Sequence, residues 1–195
     1  MTSVSALNHI HKTGLFGNHE NKNEESLLKV SEIKNLLIVQ IVQYKNSAVS
    51  FESLDIDSLK LKNEPLSVVS NTDTRILWNG PKNWLLVSTK KDLLNNIIEA
   101  FKETDFAVTD LSHSRAIIEI EGRDAKEVLK KGCPFNFNIL DKNNSINSTY
   151  NGIAFTADMI DNKPYKIRLF SLRSFGESFY HSISDSSLEF GYKAI

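Results

Sequence analysis

Ser112-His113-Ser114-Arg115 sets a hydroxyl, an imidazole and a guanidinium side by side. In a strand, adjacent side chains point to opposite faces, so Ser112 and His113 do not meet. A catalytic triad is in any case recognised by geometry rather than adjacency. Arg115 is expected to pair with a carboxylate of a neighbouring strand. Cys133 follows a helical stretch, and the partial negative charge at a helix C-terminus disfavours a thiolate there, so a packed, inert thiol is expected. The five histidines, His9, His11, His19, His113 and His181, form no metal pattern, and no His-Glu-x-x-His occurs. Neither Gly-x-x-x-x-Gly-Lys-Ser/Thr nor Gly-x-Gly-x-x-Gly is present, so no nucleotide site is expected. Trp78 and Trp84 are core residues on the plainer reading, and anchors at a protein interface on the other. No catalytic, cofactor-binding or metal-ligating residue is expected on this chain.

Bulk properties narrow the classes further. The 195 residues, 41% hydrophobic, are enough to bury one sizeable core, with room for a second small lobe. With 23 basic and 24 acidic residues the formal net charge is −1, which gives no electrostatic case for nucleic acid or a membrane surface. A single cysteine excludes an internal disulfide and a cysteine-clustered metal site, and suits a reducing compartment. No apolar run approaches 18 residues, so a cytoplasmic protein is expected.

The elements that must position these residues start with a polar arm over residues 1–31, either disordered or docking on a partner through Leu7, Ile10, Leu15 and Phe16. An α+β domain over 32–195 follows. Leu36–Tyr44 reads as a central strand buried on both faces. Arg75–Ser88 is a hairpin around Asn79-Gly80-Pro81-Lys82-Asn83, with Gly supplying positive φ. Lys91–Glu103 carries Leu93, Leu94, Ile97, Ile98 and Phe101 on one helical stripe. In Asp110–Pro134, Ala116, Ile118 and Ile120 share a strand face, Gly122 ends the strand, and a helix runs to Gly132 as its C′ residue. Asp141–Ser148 is expected to be a loop. Ile153–Met159 and Tyr165–Phe170 form a second hairpin. Ser174 and Glu177 form a capping box before a helix with Phe175, Phe179 and Ile183 on one side. Residues 191–195 are expected to fray. Strands in hairpins with helices between them give α+β with a mixed, mainly antiparallel sheet and helices on its outer faces.

Three segments in order resemble one family. RILWNGPKNWLLVS (75–88), TDLSHSRAIIEIEGRDAKEVLKKGCPFNFN (109–138) and IRLFSLRSFGESFYHSI (167–183) are similar to segments of the gamma subunit of heterotetrameric sarcosine oxidase. The likeness covers roughly residues 30–190, and ALNHIHKTGLFG (6–17) resembles that family's N-terminal extension. Asn79 departs from the apolar residue usual before Gly-Pro, and residues 47–64 are shorter and more polar than in the family. The resemblance implies a fold distantly related to the folate-binding aminomethyltransferase of the glycine-cleavage system. It also implies a non-catalytic subunit that stabilises an oxidase which demethylates sarcosine and passes the one-carbon unit to tetrahydrofolate. Its partners would be alpha, beta and delta subunits, holding FAD, FMN, NAD, zinc and tetrahydrofolate, with no cofactor on this chain. Leu7, Ile10, Leu15, Phe16, Trp78 and Trp84 are the candidate subunit interface. The alternative is a free-standing folate-binding, aminomethyltransferase-like one-carbon protein.

Overall fold

A computed structural model describes residues 4–195. The strands are β1 Gly14–Phe16, β2 Leu28–Glu32, β3 Leu37–Gln43, β4 Asp55–Ile56, β5 Leu59–Lys60, β6 Val68–Ser70, β7 Thr74–Gly80, β8 Asn83–Ser88, β9 Phe106–Asp110, β10 Arg115–Glu121, β11 Ser145–Tyr150, β12 Ile153–Asn162, β13 Tyr165–Leu172 and β14 Tyr192–Ala194. The α-helices are α1 Leu93–Ala100, α2 Ala125–Lys130 and α3 Gly176–Leu188. The chain divides into two compact units. Unit one comprises residues up to Lys34, Ser114–Lys142 and Ile146–Ile195; unit two comprises Asn35–His113 with Asn143–Ser145. The expected α+β class with a mixed, mainly antiparallel sheet is what forms, but among the described residues as two large sheets and the two-stranded β4–β5 sheet rather than as one.

Unit two holds a five-stranded sheet ordered β6-β7-β8-β3-β9, in which each strand runs antiparallel to its neighbours. The strand expected at 36–44 is β3, and it lies inside the sheet between β8 and β9. Alternate residues of β3, Leu37, Val39 and Ile41, join Ile76, Trp84, Leu86 and Phe106 in a core that Leu93, Ile97 and Phe101 complete. The hairpin expected at 75–88 pairs Trp78 directly with Trp84. Gly80 has a positive φ of 156°, and the tight turn that follows puts Pro81 first and gives Lys82 a positive φ of 55° as well. Asn63 supports that turn by accepting from the Lys82 N–H at 2.9 Å and the Trp78 indole N–H at 3.2 Å. The helix expected over 91–103 forms only as α1, and Ile98, placed on its apolar stripe, is 50% exposed. Two consecutive asparagines, Asn95 and Asn96, interrupt the helix-favouring sequence.

Unit one holds a seven-stranded sheet ordered β1-β14-β2-β10-β13-β12-β11, with β14 and β2 parallel. One face of this sheet carries Leu28, Val30, Ala116, Ile118, Ile120, Ile167, Leu169, Phe155 and Ala157, all buried. Helices α2 and α3 contribute Val128, Leu129, Phe179 and Ile183 to the unit-one core. The rings of Tyr150, Phe155 and Phe179 meet edge-on or tilted at 5.6–6.2 Å between centroids, a favoured aromatic arrangement.

Several local expectations are corrected. The described part of the 1–31 stretch is no detached arm: Leu7 is fully buried, and β1 pairs with β14. Isolated leucines in a polar stretch carry no periodicity, yet burying one contributes about 1.5–3 kcal/mol. Residues 192–194 do not fray, because β14 lies hydrogen-bonded between β1 and β2. The loop expected at 141–148 gives way to β11 from Ser145 onward. Ser174 and Glu177 form no capping box, since a 3-10 turn over Arg173–Phe175 precedes α3, whose N-cap position Phe175 makes no side-chain cap bond. Phe175 is accordingly exposed, while Phe179 and Ile183 are buried. Gly132 does not take the left-handed C′ conformation; it is required because an added Cβ would stand 2.7 Å from the Tyr150 ring.

Candidate functional site

The tempting Ser-His pair lies in the turn between β9 and β10, not within a strand. The Ser112 hydroxyl donates to Asp110 Oδ1 at 2.6 Å and accepts from the Ile38 N–H at 3.0 Å. Ser112 therefore ties that turn to β3, and His113 is exposed. Arg115 donates to the carbonyl and hydroxyl oxygens of Ser114 rather than to the expected carboxylate. Cys133 is buried, with its Sγ 3.3 Å from Ser148 Oγ. Among the described residues no group of three or more His, Cys, Asp or Glu could hold a metal ion.

The candidate interface residues separate by burial. Leu7 and Trp84 are removed from that set, because each is fully covered within its own unit. The Trp84 indole also spends its N–H on the Lys62 carbonyl, at 2.6 Å. Leu15 is 41% exposed, and Ile10, Phe16 and Trp78 are half-buried, Phe16 being stacked on Tyr192. Large apolar side chains that lie open include Ile98, Ile139, Leu172 and Phe175.

Two charged constellations were not anticipated. On the face of the unit-one sheet opposite its apolar side, Glu119 faces Arg168 and Glu121 faces Lys166 across β10 and β13. Both the Nε and Nη2 of Arg168 donate to Glu119 Oε2, at 3.0 and 2.8 Å. Lys166 reaches Glu121 at 2.6 Å, and Lys29 approaches the same carboxylate from β2 at 3.4 Å. The Lys166 ammonium, and Lys29 less strongly, hold the Glu121 carboxyl below its ordinary range. The pattern was in the sequence: Glu119-x-Glu121 and Lys166-x-Arg168 place two acids and two bases at spacing two on separate strands. Opposite charges at cross-strand positions stabilise the pairing of those strands.

In unit two, Asp57 sits in the turn of the β4–β5 hairpin with a positive φ of 51°. Its carboxylate accepts from Lys90 Nζ at 2.8 Å, the Thr74 hydroxyl at 2.7 Å and the Asn71 amide at 3.1 Å. Those bonds, Lys90 first, lower the Asp57 carboxyl to about 2. Lys90 also approaches Asp73 at 3.4 Å, so one lysine joins the hairpin turn to the β6–β7 connection.

A cleft of about 510 Å³ opens in unit one among Lys22, Lys29, Glu121, Arg123, Pro164 and Phe190. Several of its charges have partners: Lys22 donates to the Phe190 carbonyl at 3.0 Å, Lys29 pairs with Glu121, and Arg123 lies 3.7 Å from Asp124. A general acid or base needs a proton-transfer group free to meet substrate, whereas Lys22, Lys29 and Glu121 each already have a partner. The described constellations are thus suited to fixing strands and turns.

No protein-family model matches the chain. Over 62 residues, 31% of this chain, it is 37% identical to the sarcosine oxidase subunit gamma of Corynebacterium sp. (strain U-96). The same span is 34% identical to the sarcosine oxidase subunit gamma of Corynebacterium sp. (strain P-1). The match spans 30% of the length of each of these relatives. Among solved structures, the fold matches a chain of heterotetrameric sarcosine oxidase from Corynebacterium sp. U-96, in complex with pyrrole 2-carboxylate. That likeness has a TM-score of 0.83 at 21% identity and covers 97% of both chains. Aminomethyltransferase T of the glycine cleavage system from Bartonella henselae shares the fold more distantly. Its TM-score is 0.66 at 12% identity, over all of this chain and 60% of that one. None of the described helices is long and apolar enough to cross a membrane.

Proposed function

We propose that this chain is a non-catalytic, gamma-type subunit of a heterotetrameric sarcosine oxidase in the cytoplasm, where it stabilises the catalytic subunits. The observation that carries the reading is the 37% identity to a sarcosine oxidase subunit gamma. The shared fold along nearly the whole of both chains is in keeping with it. The self-paired charges and the buried thiol agree with a supporting role. In this reading the alpha, beta and delta subunits are the partners, and FAD, FMN, NAD, zinc and tetrahydrofolate sit on them. The complex oxidatively demethylates sarcosine with oxygen as electron acceptor and passes the one-carbon unit to tetrahydrofolate. Ile10, Leu15, Phe16 and Trp78 are the positions assigned to the subunit contact.

Co-expression with the flavin-binding subunits, followed by size-exclusion chromatography, tests this directly. The chain is expected to co-elute with them, and its deletion to lower sarcosine-dependent oxygen consumption. Elution alone, with oxidase activity unchanged by the deletion, overturns the proposal. Calorimetry with tetrahydrofolate on the isolated chain separates it from a free-standing folate-binding protein, for which micromolar binding is expected.

A further inference from the structure

We propose that residues 4–11 are a peptide ligand carried by the chain itself, seated in a socket of unit one that also accepts the same peptide supplied separately. The segment is bound as a ligand is bound, by groups that come from distant parts of the chain. Glu32, at the end of β2, has a side chain 5% exposed, and its Oε1 accepts both the Ser5 hydroxyl and the Leu7 N–H, the latter at 3.2 Å. Its other oxygen, Oε2, is buried and ion-paired with Lys34 Nζ at 3.1 Å. A buried carboxylate is costly unless donors meet it, so this one is built to receive hydroxyl and amide donors.

The apolar half of the socket takes Leu7, which is fully buried. It is kept open by Gly176, the first residue of α3. An added Cβ there would stand 2.9 Å from Ala116 Cβ and 3.5 Å from both Ala6 Cβ and Leu7 Cδ2. After Leu7 the chain turns, with the Ile10 and His11 N–H groups donating to the Leu7 carbonyl at 3.0 and 2.9 Å. His11 then closes the site. Its Nε2 lies 3.0 Å from the main-chain oxygen of Ile195, which only accepts, so Nε2 carries the proton. In the neutral ring Nδ1 accepts from the Tyr180 hydroxyl at 3.0 Å. At the other end Arg173 donates to the Val4 carbonyl. Lys12 and Thr13, which link the segment to β1, are exposed and in no regular element. The recognised chemistry is a hydroxyl residue two before a leucine and an imidazole four after it.

The test uses the folded full-length chain, with a site for a specific protease inserted between Lys12 and Thr13. After cleavage the fragment is expected to co-elute with the body. A labelled synthetic peptide of residues 1–12 is expected to exchange in. A Leu7→Ala peptide should bind on the order of ten- to a hundred-fold more weakly, from the lost burial of one leucine. Glu32→Gln in the body should weaken the unaltered peptide as well. Departure of the fragment from a body with unchanged circular dichroism and melting temperature overturns the proposal. So does unfolding of the body on cleavage, which would make the segment part of the core rather than a ligand. Neither readout involves oxidase subunits, so the outcome is independent of the assembly proposed above.

Discussion

Unit two is drawn almost entirely from one continuous run, Asn35–His113, whereas unit one is assembled from three separate stretches. The two also keep their cores by different means. Unit two buries one large indole among aliphatic side chains and the phenyl rings of Phe101 and Phe106, and fastens its β4–β5 turn with a part-buried carboxylate network. Unit one fits aromatic rings against a glycine that has no room for a methyl group. A contiguous unit made of hairpins can rest on volume and local turns. A discontinuous one must also specify which distant stretches meet, and close-fitting contacts such as Gly132 against Tyr150 do that.

The contrast can be broken with point substitutions read by hydrogen exchange, which reports each unit separately. Trp84→Ala should have the largest effect, about 3–5 kcal/mol, with protection lost chiefly across residues 35–113. Equal loss of protection in both units would mean that the cores are not separately maintained. Gly132→Ala adds a carbon 2.7 Å from the Tyr150 ring and should cost about 1–3 kcal/mol, read as a lower denaturation midpoint and weaker protection in β11 and α2. A neutral result would show that the contact yields and is not specifying. Tyr150→Phe removes a hydroxyl that donates to the Val128 carbonyl at 2.9 Å and lies 2.6 Å from Ser186 Oγ. It should cost about 1–2 kcal/mol and leave unit two unaffected.

The smallest effect belongs to Asp57. Its folded carboxyl is held at about 2, below the ordinary 3.8. Its stabilising share is therefore fully present above pH 4 and is lost as pH falls from about 4 toward 2. Asp57→Asn should flatten that part of the stability–pH curve and change little of its slope above pH 5. An unchanged acid slope would show that the network contributes nothing to folding.

The same contrast explains what was legible in the sequence. The 75–88 hairpin and the 36–44 strand could be read because turn residues and β-branched runs are local signals. The Glu119–Arg168 and Glu121–Lys166 pairs were half visible, since spacing two gives the face and not the register. Leu7 and residues 192–194 could not be read: their burial depends on strands far away in sequence, and nothing in their own neighbourhoods has a period. For Trp84 the sequence favours the core but leaves an interface open, because composition says a tryptophan wants cover, not whether the cover comes from the same chain. The missing capping box at Ser174 is a plainer lesson. The spacing fits the motif, but Ser174 lies inside the 3-10 turn before α3 rather than at the helix N-cap.

The position of β14 has a consequence for the order in which the chain becomes a protein. Residues 192–194 pair on one side with β1 and on the other with β2, so β1 joins the seven-stranded sheet only through a strand that follows the sheet's other strands in sequence. During synthesis, residues 35–113 leave the ribosome with most of the strand partners of unit two already present. β1, and β2 on that side, must wait until residues 192–194 emerge. A ribosome stalled before Gly191 would hold a nascent chain in which β1 has no strand to pair with, and a nascent-chain protease assay should find residues 14–16 susceptible until β14 has emerged.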